Sequence, residues 1–148
     1  MKDFVYANLF AVDEPGAEDT DREVVKVLKR TADGFPAVSL LGNGDYRLFD
    51  LVFSPETCAF YRNDRRIKFP AYESKIVRVL LEGEHCSASR ELLVKVLYDC
   101  LPDKYTNDCL NSTVSRLRKH LYVLEPRLEI IGERGKGYEL CIGEIAGR

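Results

Sequence analysis

Residues 112–138 read STVSRLRKHLYVLEPRLEIIGERGKGY, and they combine two patterns that rarely sit so close together. Upstream of Pro126 the period is helical. Leu110, Val114, Leu117 and Leu121 recur at i, i+4, i+7 and i+11, a narrow apolar seam that predicts a helix from about Thr106–Asn107 to about Tyr122. Turning the chain by about 100° per residue puts Asp108, Ser112, Ser115, Arg116 and Lys119 opposite that seam. Downstream, residues 127–131 and 138–142 read as two strands joined by GERGKG, a Gly-punctuated basic hairpin tip. Both features are cationic. Between Lys104 and Leu121 the one acid is Asp108, against Lys104, Arg116, Arg118 and Lys119.

Working upstream, Ser89 is the expected cap of a helix over residues 90–100, with Glu91 in its first turn and Leu92, Leu93, Val96 and Leu97 inward. A further helix is expected over residues 71–82, with Ile76, Val79 and Leu80 on one face and Gly83 ending it. Before Pro70, residues 46–54, 58–62 and 67–70 read as strands of a small antiparallel meander, with turns at SPET and NDRR. The first 45 residues read as a β-α-β extension: a strand over 4–12, a helix over 22–31 capped by Asp21, and a strand over 37–41. In that helix Val24, Val25 and Leu28 would form the buried stripe, and GNGD (42–45) marks the turn that follows. Such an extension is too short for a confident core of its own, so dimerisation or partner binding is its expected use.

Bulk properties narrow the classes. The chain has 148 residues, 45% hydrophobic and 31% charged, which is ordinary for a globular protein and too apolar for disorder. No run approaches the roughly 18 apolar residues of a membrane span, and the N-terminus lacks a basic leader with a cleavage site. Five cysteines without CxxC spacing argue against a disulfide framework or a structural zinc site, so a reducing cytoplasm is the expected location. The net charge of −2 is unevenly spread: the first sixty residues carry six bases and eleven acids, the remainder sixteen and thirteen. Local charge is what a phosphate backbone meets. His85 and Cys86 are adjacent, but neighbours in a loop point apart and no oxyanion-type Gly loop accompanies them. Cys109 reads as partly buried packing, and no metal-ligand cluster, cofactor motif or catalytic dyad is visible. No enzyme, metal or cofactor is expected.

A polar helix face alone is what any surface helix shows, and two glycines beside exposed cations are what many turns show. The order meander, three helices, basic hairpin is more specific, because it outlines a winged helix-turn-helix. Residues 46–142 resemble the winged-helix DNA-binding domain of the OmpR/PhoB family, shared with ToxR/CadC-type activators. The resemblance is carried by IKFPAYESKIVRVLL (67–81), SRELLVKVLY (89–98), NSTVSRLRKHL (111–121) and EIIGERGKGYEL (129–140), whose Arg134-Gly135-Lys136-Gly137-Tyr138 fits the family's closing motif. The expected architecture is therefore α+β: an N-terminal antiparallel meander, three helices and a C-terminal β-hairpin wing in residues 46–148, preceded by the β-α-β extension of residues 1–45.

The resemblance implies that the third helix enters a major groove of double-stranded DNA, with the wing on the adjacent minor groove or backbone. It implies tandem binding on direct repeats, and contact with RNA polymerase through the loop from Asp99 to Asn107. A homodimer is a further possibility. Two residues depart from the pattern: Tyr98 stands where a Trp is common, and Asp108 is an acid on the DNA face, able to accept from a cytosine amine or to cap the helix. The 45 residues ahead of the domain are too few for a receiver, and no membrane helix follows it, so a stand-alone soluble regulator is expected. Its expected contacts are Ser112, Ser115, Arg116 and Lys119 in the groove, Thr113 and Arg118 on flanking phosphates, and Arg134 and Lys136 on the wing. His120 is expected to touch a phosphate or complement the helix C-terminus. The alternative is a winged-helix adaptor, or an antagonist of a related regulator, that binds protein instead of DNA.

Overall fold

The computed structural model describes residues 23–63 and 65–143. The chain is α+β and divides into two compact units, Met1–Phe69 and Pro70–Arg148.

Among the described residues of the first unit, six antiparallel strands follow one another in sequence order: β1 (Val24–Arg30), β2 (Pro36–Leu41), β3 (Tyr46–Leu48), β4 (Leu51–Ser54), β5 (Ala59–Arg62) and β6 (Arg65–Lys68). One face is apolar and buried, with Val38, Leu48 and Leu51 in one cross-strand row and Tyr46, Phe53 and Phe60 in the next. The Phe53 and Phe60 rings lie 5.0 Å apart and Phe60 and Phe69 4.8 Å, both tilted, the geometry aromatic pairs prefer.

The helix expected over residues 22–31 is a strand. Val24, Val25 and Val27 are β-branched and stiff at χ1, which favours an extended chain, and the turn that follows folds β1 straight back onto β2. That turn closes with Gly34 N donating to Thr31 O and Thr31 N to Phe35 O, each at 2.9 Å. Val24 and Val25 are exposed, so the supposed buried stripe does not exist. The strand expected over residues 4–12 lies outside the described residues. A boundary at residue 45 is also overturned, because β2 and β3, on either side of it, pair as Val38↔Leu48, Ser39↔Arg47 and Leu40↔Tyr46. The single strand expected over 46–54 is two, hinged at Phe49, which takes a left-handed φ of 58°. That conformation is costly for a bulky residue, and burial of its ring against Phe35 offsets it.

The second unit runs α1 (Ala71–Glu82), a short 3-10 turn (Glu84–Cys86), β7 (Ser87–Ser89), α2 (Arg90–Tyr98), α3 (Lys104–Leu124), β8 (Leu128–Glu133) and β9 (Gly137–Ile142). Its three-stranded sheet has the order β7-β9-β8. Strand β7, three residues long and too short to announce itself, pairs Ala88 with Tyr138 and Ser89 with Gly137. Ser89 Oγ accepts from Leu92 N at 3.0 Å, as expected of the α2 cap. Helix α2 stops two residues early, where Asp99 takes a left-handed φ of 56°. Helix α3 starts earlier than its apolar seam, on a reciprocal capping box. Thr106 N donates to Asp103 Oδ1 at 2.8 Å, and Asp103 N donates to Thr106 Oγ1 at 2.9 Å. Thr106 N, and after it the Thr106 hydroxyl at 3.0 Å from the same Oδ1, donate to the Asp103 carboxyl and hold it below its ordinary pKa.

The core of this unit is the anticipated one around Ile76, Leu80, Leu93, Leu110, Leu117 and Leu121, with Leu140 from the sheet. One helix face is corrected. Leu92 is 45% exposed and Val96 half-buried, while Val94 is fully buried, because α2 turns Leu93, Val94 and Leu97 inward. The difference is measurable. Leu117→Ala is expected to lower unfolding free energy by about 3 kcal/mol, and Leu92→Ala by less than about 1 kcal/mol, in urea titrations of equal slope. Comparable destabilisation at the two leucines would contradict this packing.

Candidate nucleic-acid interface

The interface is built from α3 outward. With Leu110, Val114, Leu117 and Leu121 buried, the helix has one orientation available, and it leaves Ser112, Ser115, Arg116 and Lys119 exposed on the opposite side. Short serines on that side let the backbone come close to a surface, while Arg and Lys reach beyond it. Asp108, the acid on this stripe, is matched by Lys104 one turn earlier at 3.4 Å. Both groups are exposed, so the pair adds little stability.

Two residues assigned to flanking phosphates have other duties. Thr113 is only 2% exposed; its hydroxyl donates to Cys109 O at 2.9 Å and accepts from Arg116 Nη2 at 3.3 Å. It cannot touch a phosphate from there. Lying beside the apolar seam, it orients the arginine on the next turn instead. Arg118 is exposed, yet its Nε donates to Ile130 O at 2.8 Å and its guanidinium lies over the Tyr138 ring, 5.7 Å from the centroid. That residue clamps α3 to β8. His120 Nδ1 lies 2.6 Å from Glu73 Oε1, and Glu73, in the first turn of α1, is 2% exposed. Sequence reading did not single out Glu73, because a Glu early in a helix ordinarily faces water. With Tyr72, Thr113 and Arg116 the pair lines an open crevice of about 290 Å³.

The hairpin tip brings Arg134, Gly135 and Lys136, all exposed, to the end of β8 and β9. Lys136 N donates to Glu133 O at 2.9 Å, and Gly135 supplies the left-handed φ of 75° that the turn requires. The tip is not hanging free. Arg90 N, at the start of α2, donates to Lys136 O at 3.0 Å.

Beneath the tip is a polar network that sequence reading missed altogether. Arg90 Nη1 donates to Asn107 Oδ1 at 3.2 Å, and Arg90 Nη2 donates to the Tyr138 hydroxyl at 3.1 Å. The hydroxyl in turn donates to Asn111 Oδ1 at 3.0 Å. Arg90 also lies over the Tyr138 ring, 5.4 Å from its centroid, within the reach of a cation–π contact. The bond from Arg90 to Tyr138 spans 48 positions in the chain, so no spacing rule could have found it. Together these bonds join α2, α3 and β9 at the foot of the hairpin.

The remaining chemistry-bearing residues are scattered. His85 is exposed and Cys86 buried, so the adjacent pair does not converge, and Cys109 is half-buried. Among the described residues no group of three His, Cys, Asp or Glu side chains is placed to hold a metal ion. No helix among them is long and apolar enough to cross a membrane. Between α2 and α3, Leu101 is 78% exposed, and Tyr105, at the start of α3, is 75% exposed. No protein-family model matches the sequence, and no curated protein is significantly similar to it.

Proposed function

We propose that Pro70–Arg148 is a winged helix-turn-helix unit of the OmpR/PhoB type and that the protein is a sequence-specific regulator of transcription. In this reading α3 lies in the major groove of double-stranded DNA, with the β8–β9 hairpin as a wing on the neighbouring minor groove or backbone. One observation carries the reading. Exposed Ser112, Ser115, Arg116 and Lys119 on α3, and exposed Arg134 and Lys136 on the hairpin, belong to elements tied together by the Arg90–Tyr138–Asn111 network. Arg116 is the base reader, because it is the exposed arginine of this stripe and its bond to Thr113 holds the guanidinium in one place. Ser112, Ser115 and Lys119 accompany it in the groove, and Arg134 and Lys136 on the wing supply phosphate contacts.

Exposed Leu101 and Tyr105 favour a protein contact on the 99–107 segment, and RNA polymerase is the proposed partner there. The same observation supports the second reading, an adaptor that binds protein alone.

Mobility-shift selection on genomic fragments, followed by sequencing, separates the two. Enrichment of repeated half-sites is the result expected of the regulator. No enrichment even at low salt, where non-specific affinity is greatest, would leave the adaptor.

A further inference from the structure

We propose that Tyr138 is a positioning residue for DNA binding, holding the hairpin tip in register with the exposed face of α3 through its hydroxyl. The inference rests on the DNA-binding reading above. Tyr138 is 8% exposed and lies two residues from Lys136, so it touches no ligand itself. Its hydroxyl makes two bonds, one to Asn111, the residue immediately before Ser112 on α3, and one from Arg90. Arg90 then holds both partners: its backbone N–H binds the tip at Lys136 O and its guanidinium binds α3 at Asn107. The tip is therefore tied to α3 by two routes, one through the Tyr138 hydroxyl to Asn111 and one through Arg90 to Asn107, and Arg90 Nη2 braces the first by donating to that hydroxyl.

Removal of that oxygen alone separates positioning from folding. Tyr138→Phe keeps the ring, its contacts with the Arg90 and Arg118 guanidiniums, and the pairing of β9 with β7 and β8. What disappears is the pair of hydroxyl bonds, the lateral tie to Asn111 and the bond from Arg90 that braces it. A tip no longer held in one place must be ordered when it docks, and its hold on the duplex weakens by that amount. The ties from Arg90 to Lys136 O and Asn107 and from Arg118 to Ile130 O remain and keep the hairpin beside α3, but the direct bond between the foot of the tip and Asn111 is lost.

The experiment uses the full chain and a labelled duplex carrying the site enriched from genomic fragments. Tyr138→Phe is expected to weaken binding about tenfold, while the melting temperature stays within a few degrees of the parent. Lys136→Ala should weaken the parent clearly but add little to Tyr138→Phe, since an unpositioned tip has little left to lose. Hydroxyl-radical footprinting supplies a readout that a purely structural role would not move: protection beside the tip fades and protection under α3 persists. Asn111→Ala removes the same bond from the other side and should reproduce both effects.

Unchanged affinity, an affinity decrease that tracks a falling melting temperature, or additive effects of the two substitutions would each overturn the inference and leave the DNA-binding reading standing. Failure of the parent protein to bind any duplex would remove that reading, and the inference with it.

Discussion

Gly137→Ala is expected to abolish the native pairing of the hairpin with β7 and to cost about 4 kcal/mol or more, among the largest effects single substitutions produce. Two independent causes combine. The φ of Gly137 is 152°, a conformation that side-chain-bearing residues rarely adopt. A methyl group there would also lie 2.1 Å from Ala88 O and 2.8 Å from Ser89 Cα, both on the backbone of β7. No rotamer relieves a clash with backbone, so β7 and β9 must separate and the Ser89↔Gly137 and Ala88↔Tyr138 pairs go with them. Gly135 provides the contrast. Its φ of 75° also favours glycine, but nothing lies within 4 Å of an added methyl. Gly135→Ala should therefore cost only about 1–2 kcal/mol of local strain. Thermal and urea unfolding of the two variants side by side checks this; similar stabilities would contradict the close approach of β7 to β9.

The contrast between those glycines also shows what a one-dimensional reading holds. Helix α1 is found where its residues place it, Ala71–Glu82, because an apolar stripe between Pro70 and Gly83 has no competing period. The seam of α3 and the Gly-rich hairpin are equally local signals, and both are present in the structure. Residues 24–30 are different. Val24, Val25 and Leu28 fit a helical stripe on paper, yet three valines and an immediate return through Gly34 fit a hairpin, and pairing with β2 decided between them. The hinge at Phe49-Asp50 was hidden because its left-handed position is occupied by a phenylalanine and not by Gly or Asn; burial of the phenylalanine holds it.

Site residues follow the same division. Exposure of Ser112, Ser115, Arg116 and Lys119 was legible from the angle they subtend on α3. The burial of Thr113 and the engagement of Arg118 by Ile130 depend on neighbours from a partly buried turn and a distant strand. The Arg90–Tyr138–Asn111 bonds depend on three separate elements meeting, which is information that only the folded chain carries.

The second large effect concerns binding. The triple variant Arg116→Ala, Arg134→Ala, Lys136→Ala is expected to bind the selected duplex roughly a thousandfold more weakly. On the proposed reading, loss of Arg116 from the groove accounts for about 1–3 kcal/mol, and loss of two phosphate contacts at the tip for much of the rest. Little of this should come from unfolding. All three side chains are exposed, and the one bond among those described that the variant removes, Arg116 to the buried Thr113, leaves that hydroxyl its bond to Cys109 O. The two tip cations have a second signature: the slope of log affinity against log salt should flatten by about 0.9 for each phosphate no longer neutralised.

That salt titration, performed on the parent and the triple variant with the same duplex and with matched melting temperatures, tests DNA binding through α3 and the hairpin tip most directly. A steep slope is expected for the parent, and for the variant a flatter one with far weaker binding at every salt concentration. Equal affinity and equal slope in the two proteins would contradict this mode of binding.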